Sequence, residues 1–213
     1  MAVKSEREYR DMTMEVRTLE NEEAPDERKI VTGYASTFNE PYTLYENDDW
    51  RFNEVVDARA FDNTDMSDVI MQYDHAGRVF ARMSNNTLTV VPDEKGLLIE
   101  ADLGGTELGR QLFEEIRGGY TNKMSFGFTV DGEEVLDTKD VDGKALTVRT
   151  IKSVRKLYDV SAVSLPANDA TSISVRSLTD GEIERIRAER LEAEALELRR
   201  RKLLVKAKLN GGQ

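Results

Sequence analysis

Leu88-Thr89-Val90-Val91-Pro92-Asp93-Glu94-Lys95-Gly96-Leu97-Leu98-Ile99-Glu100-Ala101 holds the clearest structural signal in this chain. Two apolar runs flank the connection Pro92 to Gly96, which is polar and ends in glycine. That arrangement predicts an antiparallel hairpin. Neighbouring segments extend the same reading. Met12, Met14 and Val16 alternate loosely with polar residues over 12–20, as in a half-buried strand. Glu20 to Glu27 is acidic and carries Pro25, so it reads as a loop. Ile30 to Phe38 then returns to β-branched and aromatic residues, a partner strand.

Beyond the hairpin the period changes. Leu108, Leu112, Phe113 and Ile116 share one helical face, Thr106 is placed to cap the start, and Gly118-Gly119 closes the end. Further strands are predicted over 125–130, 148–154 and 158–165, with 131–144 as a polar excursion. The sum is an α+β fold: a mainly antiparallel, barrel-like core with a few helices.

From Thr179 the chain changes character. Thr179-Asp180-Gly181-Glu182 has capping-box spacing, and good helix formers dominate to Leu209. Ala188, Leu191, Ala195, Leu198, Val205 and Leu209 keep three- and four-residue spacing. Residues 180–213 carry nine Lys/Arg against seven Asp/Glu, whereas the whole chain has a formal charge of -11. We therefore divide the chain into 1–178, a folded core, and 179–213, a long amphipathic C-terminal helix that docks by one stripe or binds a partner.

Composition narrows the chemistry. With 213 residues, 39% hydrophobic and 33% charged, one ordinary core on a polar surface is expected. The acidic balance argues against a nucleic-acid partner, because phosphate neutralisation needs clustered Lys and Arg. The absence of cysteine excludes disulfides and thiolate catalysis. One histidine with scattered carboxylates gives no metal-ligand spacing, and no cofactor is expected. No apolar run reaches the roughly 20 residues of a membrane helix, and Met1 to Glu8 lacks a secretory h-region. The expectation is a soluble, intracellular protein.

Three residues combine into a chemical hypothesis. A serine hydroxyl needs a base near neutral pH, and imidazole, with an unperturbed pKa of about 6.5, is the usual one. Here that base has to be His75, the single histidine, in Gln72-Tyr73-Asp74-His75-Ala76-Gly77. Ser125 sits in Lys123-Met124-Ser125-Phe126-Gly127-Phe128, which lacks the G-x-S-x-G spacing of a nucleophile elbow. Asp159, in Leu157-Tyr158-Asp159-Val160-Ser161, is an acid in an apolar strand and needs a partner. Each residue alone has an ordinary structural explanation. Together they supply nucleophile, base and orienting acid.

These segments, with Val31-Thr32-Gly33-Tyr34-Ala35-Ser36-Thr37-Phe38-Asn39, Phe52 to Phe61 and Asp159 to Asn168, resemble the prohead maturation proteases of tailed bacteriophages. Those serine peptidases are related in fold to the herpesvirus assemblin proteases. The resemblance covers roughly 12–175 and implies catalytic roles for His75, Ser125 and Asp159. Asp74, beside the histidine, stays open as an alternative orienter. The stretch Leu165-Pro166-Ala167-Asn168 is the implied source of backbone oxyanion donors. The implied activity is limited endoproteolysis of the major capsid protein or scaffold, and of the protease itself. It would take place in the host cytoplasm inside the assembling prohead, with a homodimer as a possible active form. Two other readings use the same residues differently: a non-catalytic capsid assembly or scaffold protein keeping the fold, and a hydrolase of small esters.

Overall fold

Alternating burial runs through most of the chain and builds strands. The computed structural model describes residues 7–12, 17–19 and 28–164, with 188, 192, 196 and 199. Two compact units divide it, Met1–Ser177 and Leu178–Gln213. The strands are β1 (Glu8–Met12), β2 (Arg17–Leu19), β3 (Ile30–Thr37), β4 (Tyr42–Glu46), β5 (Trp50–Val56), β6 (Ile70–Tyr73) and β7 (Ala76–Arg82). After a short 3-10 turn at Met83–Asn85 come β8 (Leu88–Pro92) and β9 (Gly96–Asp102), the helix α1 (Glu107–Arg117), then β10 (Lys123–Lys139) and β11 (Ala145–Val163).

They form two sheets. A seven-stranded sheet runs β1-β10-β11-β5-β4, with β6 also pairing β11 and β7 pairing β6; a four-stranded sheet runs β2-β3-β9-β8. β5 shows why these residues make a strand: Trp50, Phe52, Glu54 and Val56 are buried while the residues between them are half-exposed. One core unites both sheets. Val31 and Ala35 of β3, Leu97 and Ile99 of β9, Met124, Phe126 and Phe128 of β10, and Ile151 and Val160 of β11 all belong to it. Helix α1 adds Leu112, Phe113 and Ile116. Each of the larger of these side chains, Val, Leu, Ile, Phe or Met, contributes roughly 1.5–3 kcal/mol through burial.

Several sequence expectations stand. The hairpin is β8–β9, with Asp93 N donating to Gly96 O at 2.8 Å across the turn. Thr106 caps α1, its hydroxyl oxygen accepting from Gly109 N at 2.9 Å. On the buried face, however, Gly109 replaces Leu108, which is exposed. A Cβ at Gly109 would run into the carbonyl of Leu103.

The fold class needs correction. The α+β, barrel-like core with a few helices is instead mostly β, with one α-helix among the described residues and no closed barrel. Closure would require the outer strands to find each other, and β1 and β4 end the larger sheet while β2 and β8 end the smaller. The long C-terminal helix over 179–213 is not among the described elements, and that stretch lies outside the described residues but for four isolated positions. The supposed excursion over 131–144 is mostly strand: β10 runs on to Lys139 and returns as β11 after a short turn. The strands expected over 148–154 and 158–165 are one, β11. Of the strand expected over 12–20, Met12 ends β1 and Arg17–Leu19 is β2, two strands in different sheets, while 13–16 and 20 lie outside the described residues.

Candidate active site

Three adjacent strands bring Ser125, Asp159 and His75 together. β10 and β11 pair antiparallel, setting Ser125 opposite Ser161 and Gly127 opposite Asp159. Period-two alternation therefore puts Ser125, Asp159 and Ser161 on one face, and Phe126 and Phe128 on the core face. β6 runs parallel to β11 on its other side, with Asp159 opposite Ile70 and Ala162 opposite Tyr73. Asp74 and His75 are the two residues that turn β6 into β7.

That turn is tight. Asp74 has φ 47° and His75 φ 55°, the positive pair that a type I′ two-residue hairpin demands. Asn, Asp and His are the side chains best represented in that region outside glycine. Strained backbone of this kind concentrates at functional sites. Asp74 N donates to Ala162 O at 3.0 Å, and the Asp74 carboxylate accepts from Ser164 N at 3.0 Å, so the turn is pinned to the end of β11.

The imidazole lies between the other two groups. His75 Nδ1 is 2.5 Å from Asp159 Oδ2, and His75 Nε2 makes a short hydrogen bond with Ser125 Oγ. A carboxylate on Nδ1 fixes the neutral tautomer that leaves Nε2 free to accept a proton. Asp159, not Asp74, thus faces the ring. Ser161 Oγ donates to Asp159 Oδ2 at 2.9 Å, and the Arg7 guanidinium pairs with Oδ1. The Tyr9 ring packs 4.4 Å from the imidazole, centroid to centroid. Gly127 makes room for this cluster: a Cβ there would collide with Asp159 Oδ1 and lie 2.9 Å from both Arg7 Nε and Tyr9.

On the opposite face of β1 lies a buried ion network. Arg10 grips Glu54 with Nε to Oε1 at 2.5 Å and Nη2 to Oε2 at 2.9 Å. Arg149 reaches Glu54 at 2.6 Å and Glu8 at 2.7 Å, and the Tyr42 hydroxyl donates to Glu54. Burial alone would raise the pKa of the Glu54 carboxyl, but Arg10 and Arg149 outweigh it and hold the pKa below its ordinary value. Burial likewise opposes charge on Arg10, and Glu54 and Glu8 override it, leaving its pKa above the usual range.

Sequence reasoning named His75, Ser125 and Asp159, and the fold puts all three in contact. It missed Ser161, whose signal was its spacing of two from Asp159 on the same strand. It missed Arg7 and Tyr9, for which no local signal exists. The oxyanion stretch Leu165 to Asn168 lies outside the described residues. Among the described residues no group of three or more His, Asp or Glu is placed to hold a metal ion, and no helix is long and apolar enough to cross a membrane.

Comparison with known proteins adds three findings. The family model described as caudovirus prohead serine protease matches residues 13–185. Among solved structures, the capsid assembly protease of bacteriophage T4 matches with a TM-score of 0.36 and 12% identity, covering 73% of this chain and 98% of its own. No curated protein matches.

Proposed function

Because the chain belongs to the caudovirus prohead serine proteases, whose family model spans residues 13–185, we propose that it is an endopeptidase working through Ser125, His75 and Asp159. One observation carries this: the ring of the single histidine bridges a serine hydroxyl and a buried carboxylate. Ser125 Oγ attacks the scissile carbonyl carbon as His75 Nε2 takes its proton. The resulting imidazolium is stabilised by Asp159 on Nδ1. His75 then protonates the leaving amine, and the peptide C–N bond breaks to leave an acyl-enzyme. Water repeats the sequence: His75 takes its proton, hydroxide adds to the ester, and Ser125 leaves reprotonated.

The substrates in this reading are the scaffold or major capsid protein, and the protease itself, within the prohead assembling in the host cytoplasm. Membership in a prohead protease family supports that choice. Mass spectrometry of the chain co-expressed with its capsid protein tests it. Wild type should yield discrete cleaved fragments, while Ser125→Ala should lose cleavage by on the order of a millionfold and so yield none. Equal processing by Ser125→Ala would end the reading.

A further inference from the structure

A nucleophile has to be reached, and Ser125 is not: it is 0% exposed. One face of its strand neighbourhood is closed by His75 and Tyr9. The edge of β10 is closed by β1, whose residues Glu8 to Met12 pair antiparallel with Phe128 to Met124. The contact is specific at the reacting atom, because Ser125 Oγ donates to the backbone carbonyl of Arg10 at 2.9 Å. A hydroxyl has one proton, so the Arg10 carbonyl competes for it with His75 Nε2, the other acceptor within reach of Oγ. The strand thus places a peptide carbonyl against Oγ, as an extended substrate would, and that carbonyl competes with the base for the proton that attack has to release.

We propose that β1 is a releasable latch strand over Ser125, and that the β10 edge it vacates at Met124–Phe128 receives the extended substrate segment. This rests on the triad reading above. Three features fit a strand built to leave. It is five residues long, and among the described residues it sits at the end of the sheet order and is paired on one side only. Its charged anchors also come out in balance. Glu8 and Arg10 leave together as an ion pair, held to each other at 2.5 Å. Arg149 stays paired with Glu54 at 2.6 Å and with Glu133 at 2.7 Å, and Tyr42 still donates to Glu54. Glu54 and Arg149 each keep an oppositely charged partner, which lowers the penalty that normally locks a buried ion network. Asp159, which loses Arg7 when that residue leaves with the strand, keeps its hydrogen bonds with His75 and Ser161. An unpaired strand edge is in turn the standard docking site for an extended peptide, which adds as a further strand.

A fluorophosphonate probe reads accessibility directly: Ser125 Oγ bonds to phosphorus, fluoride departs and His75 takes the proton. Removing residues 1–12 should raise the labelling rate of Ser125 about tenfold or more, since a closed state leaves only a minor reactive population. A folded truncation that labels no faster overturns the latch. A reversible lock covers the case in which truncation unfolds the chain. Met12 and Met124 are register partners and the chain has no cysteine, so Met12→Cys/Met124→Cys can form one disulfide. Oxidised protein should label about tenfold more slowly than reduced protein. Equal rates would overturn the latch, and a pair that never oxidises would show that β1 does not sit on β10. Ser125→Ala in each background marks the other failure: if Ser125 is labelled in no form, reduced or oxidised, the triad itself is wrong and the latch falls with it.

Discussion

β10 is one strand of 17 residues, yet its two halves live in different surroundings. From Lys123 to Val130 nearly every residue is buried, flanked by β1 and β11, with Phe126 stacked on Phe128 at 4.6 Å between ring centroids. From Asp131 onward the strand is mostly exposed and, among the described residues, keeps only β11 as a partner. Register shifts crowd the junction, between Gly127 and Glu133. Bulges of this kind re-aim side chains beside active sites. The difference teaches that continuity of hydrogen bonding does not fix a strand's role. What lies on its two faces does.

The largest effect expected belongs to the inner half. Asp159→Asn, opposite Gly127, keeps the shape but can no longer hold the Nδ1 proton of His75 in the required tautomer, and cleavage should fall about ten-thousandfold. Measured kcat with intact folding checks this. A loss below tenfold would mean that the inner half needs no carboxylate to orient the base.

Next comes the ion network beneath it. Glu54→Gln removes the shared partner of Arg10 and Arg149, leaving buried cations poorly paired, and should cost about 3–5 kcal/mol in denaturant unfolding. Glu133→Gln, on the outer half and partly exposed, should cost far less. The pH dependence has a definite sign. The folded-state pKa of Glu54 lies below its ordinary value, so its contribution to stability is present above about pH 4.3 and is lost as pH falls through the folded value. Wild type should therefore lose stability on acidification below that point. Glu54→Gln should start lower at neutral pH and show a shallower acid loss. Parallel curves for the two proteins would remove Glu54 as the titrating group.

The two β10 glycines sharpen the contrast further. At Gly127 an added Cβ meets Asp159, Arg7 and Tyr9, whereas at Gly132 it meets only the movable Ser153 hydroxyl at 2.8 Å. Gly127→Ala should depress kcat by displacing the carboxylate, while Gly132→Ala should leave kcat alone. It should also gain up to about 0.5–1 kcal/mol from lost unfolded-chain freedom. Matched losses of activity would show that the halves are mechanically coupled across the bulges.

The same contrast explains what the sequence reveals. The inner half was legible as a strand because Met124, Phe126, Phe128 and Val130 alternate with small residues over a core. The β8–β9 hairpin and α1 were legible through turn and capping chemistry. Ser125, His75 and Asp159 were legible as types, since one histidine leaves one possible base. The outer half was not, because a ribbon wetted on both faces needs no apolar alternation, and Asp131, Glu133, Glu134 and Asp137 read as loop. β11 was split in two by Arg155 and Lys156, whose exposed charges pair with Asp131 and Asp65. The network of Glu8, Arg10, Glu54 and Arg149 joins three distant stretches, and no local pattern predicts such pairing. Whether a sheet closes into a barrel depends on where its edges end, which no single segment encodes.

The smallest expected effect tests the outer half by itself. Val135 and Leu136 are 56% and 63% exposed, so replacing Leu136 with serine removes little apolar surface from the folded interior. Cross-strand pairing with Val148 is retained, because the backbone bonds of β10 and β11 do not depend on the side chain. The unfolding midpoint should shift by no more than about 0.5 kcal/mol, the ordinary range for surface substitutions, and Ser125 labelling should be unchanged. A loss above 2 kcal/mol would show that the outer ribbon is covered in solution, by another copy or by a partner. The two halves of β10 would then differ in what buries them, and no longer in whether they are buried.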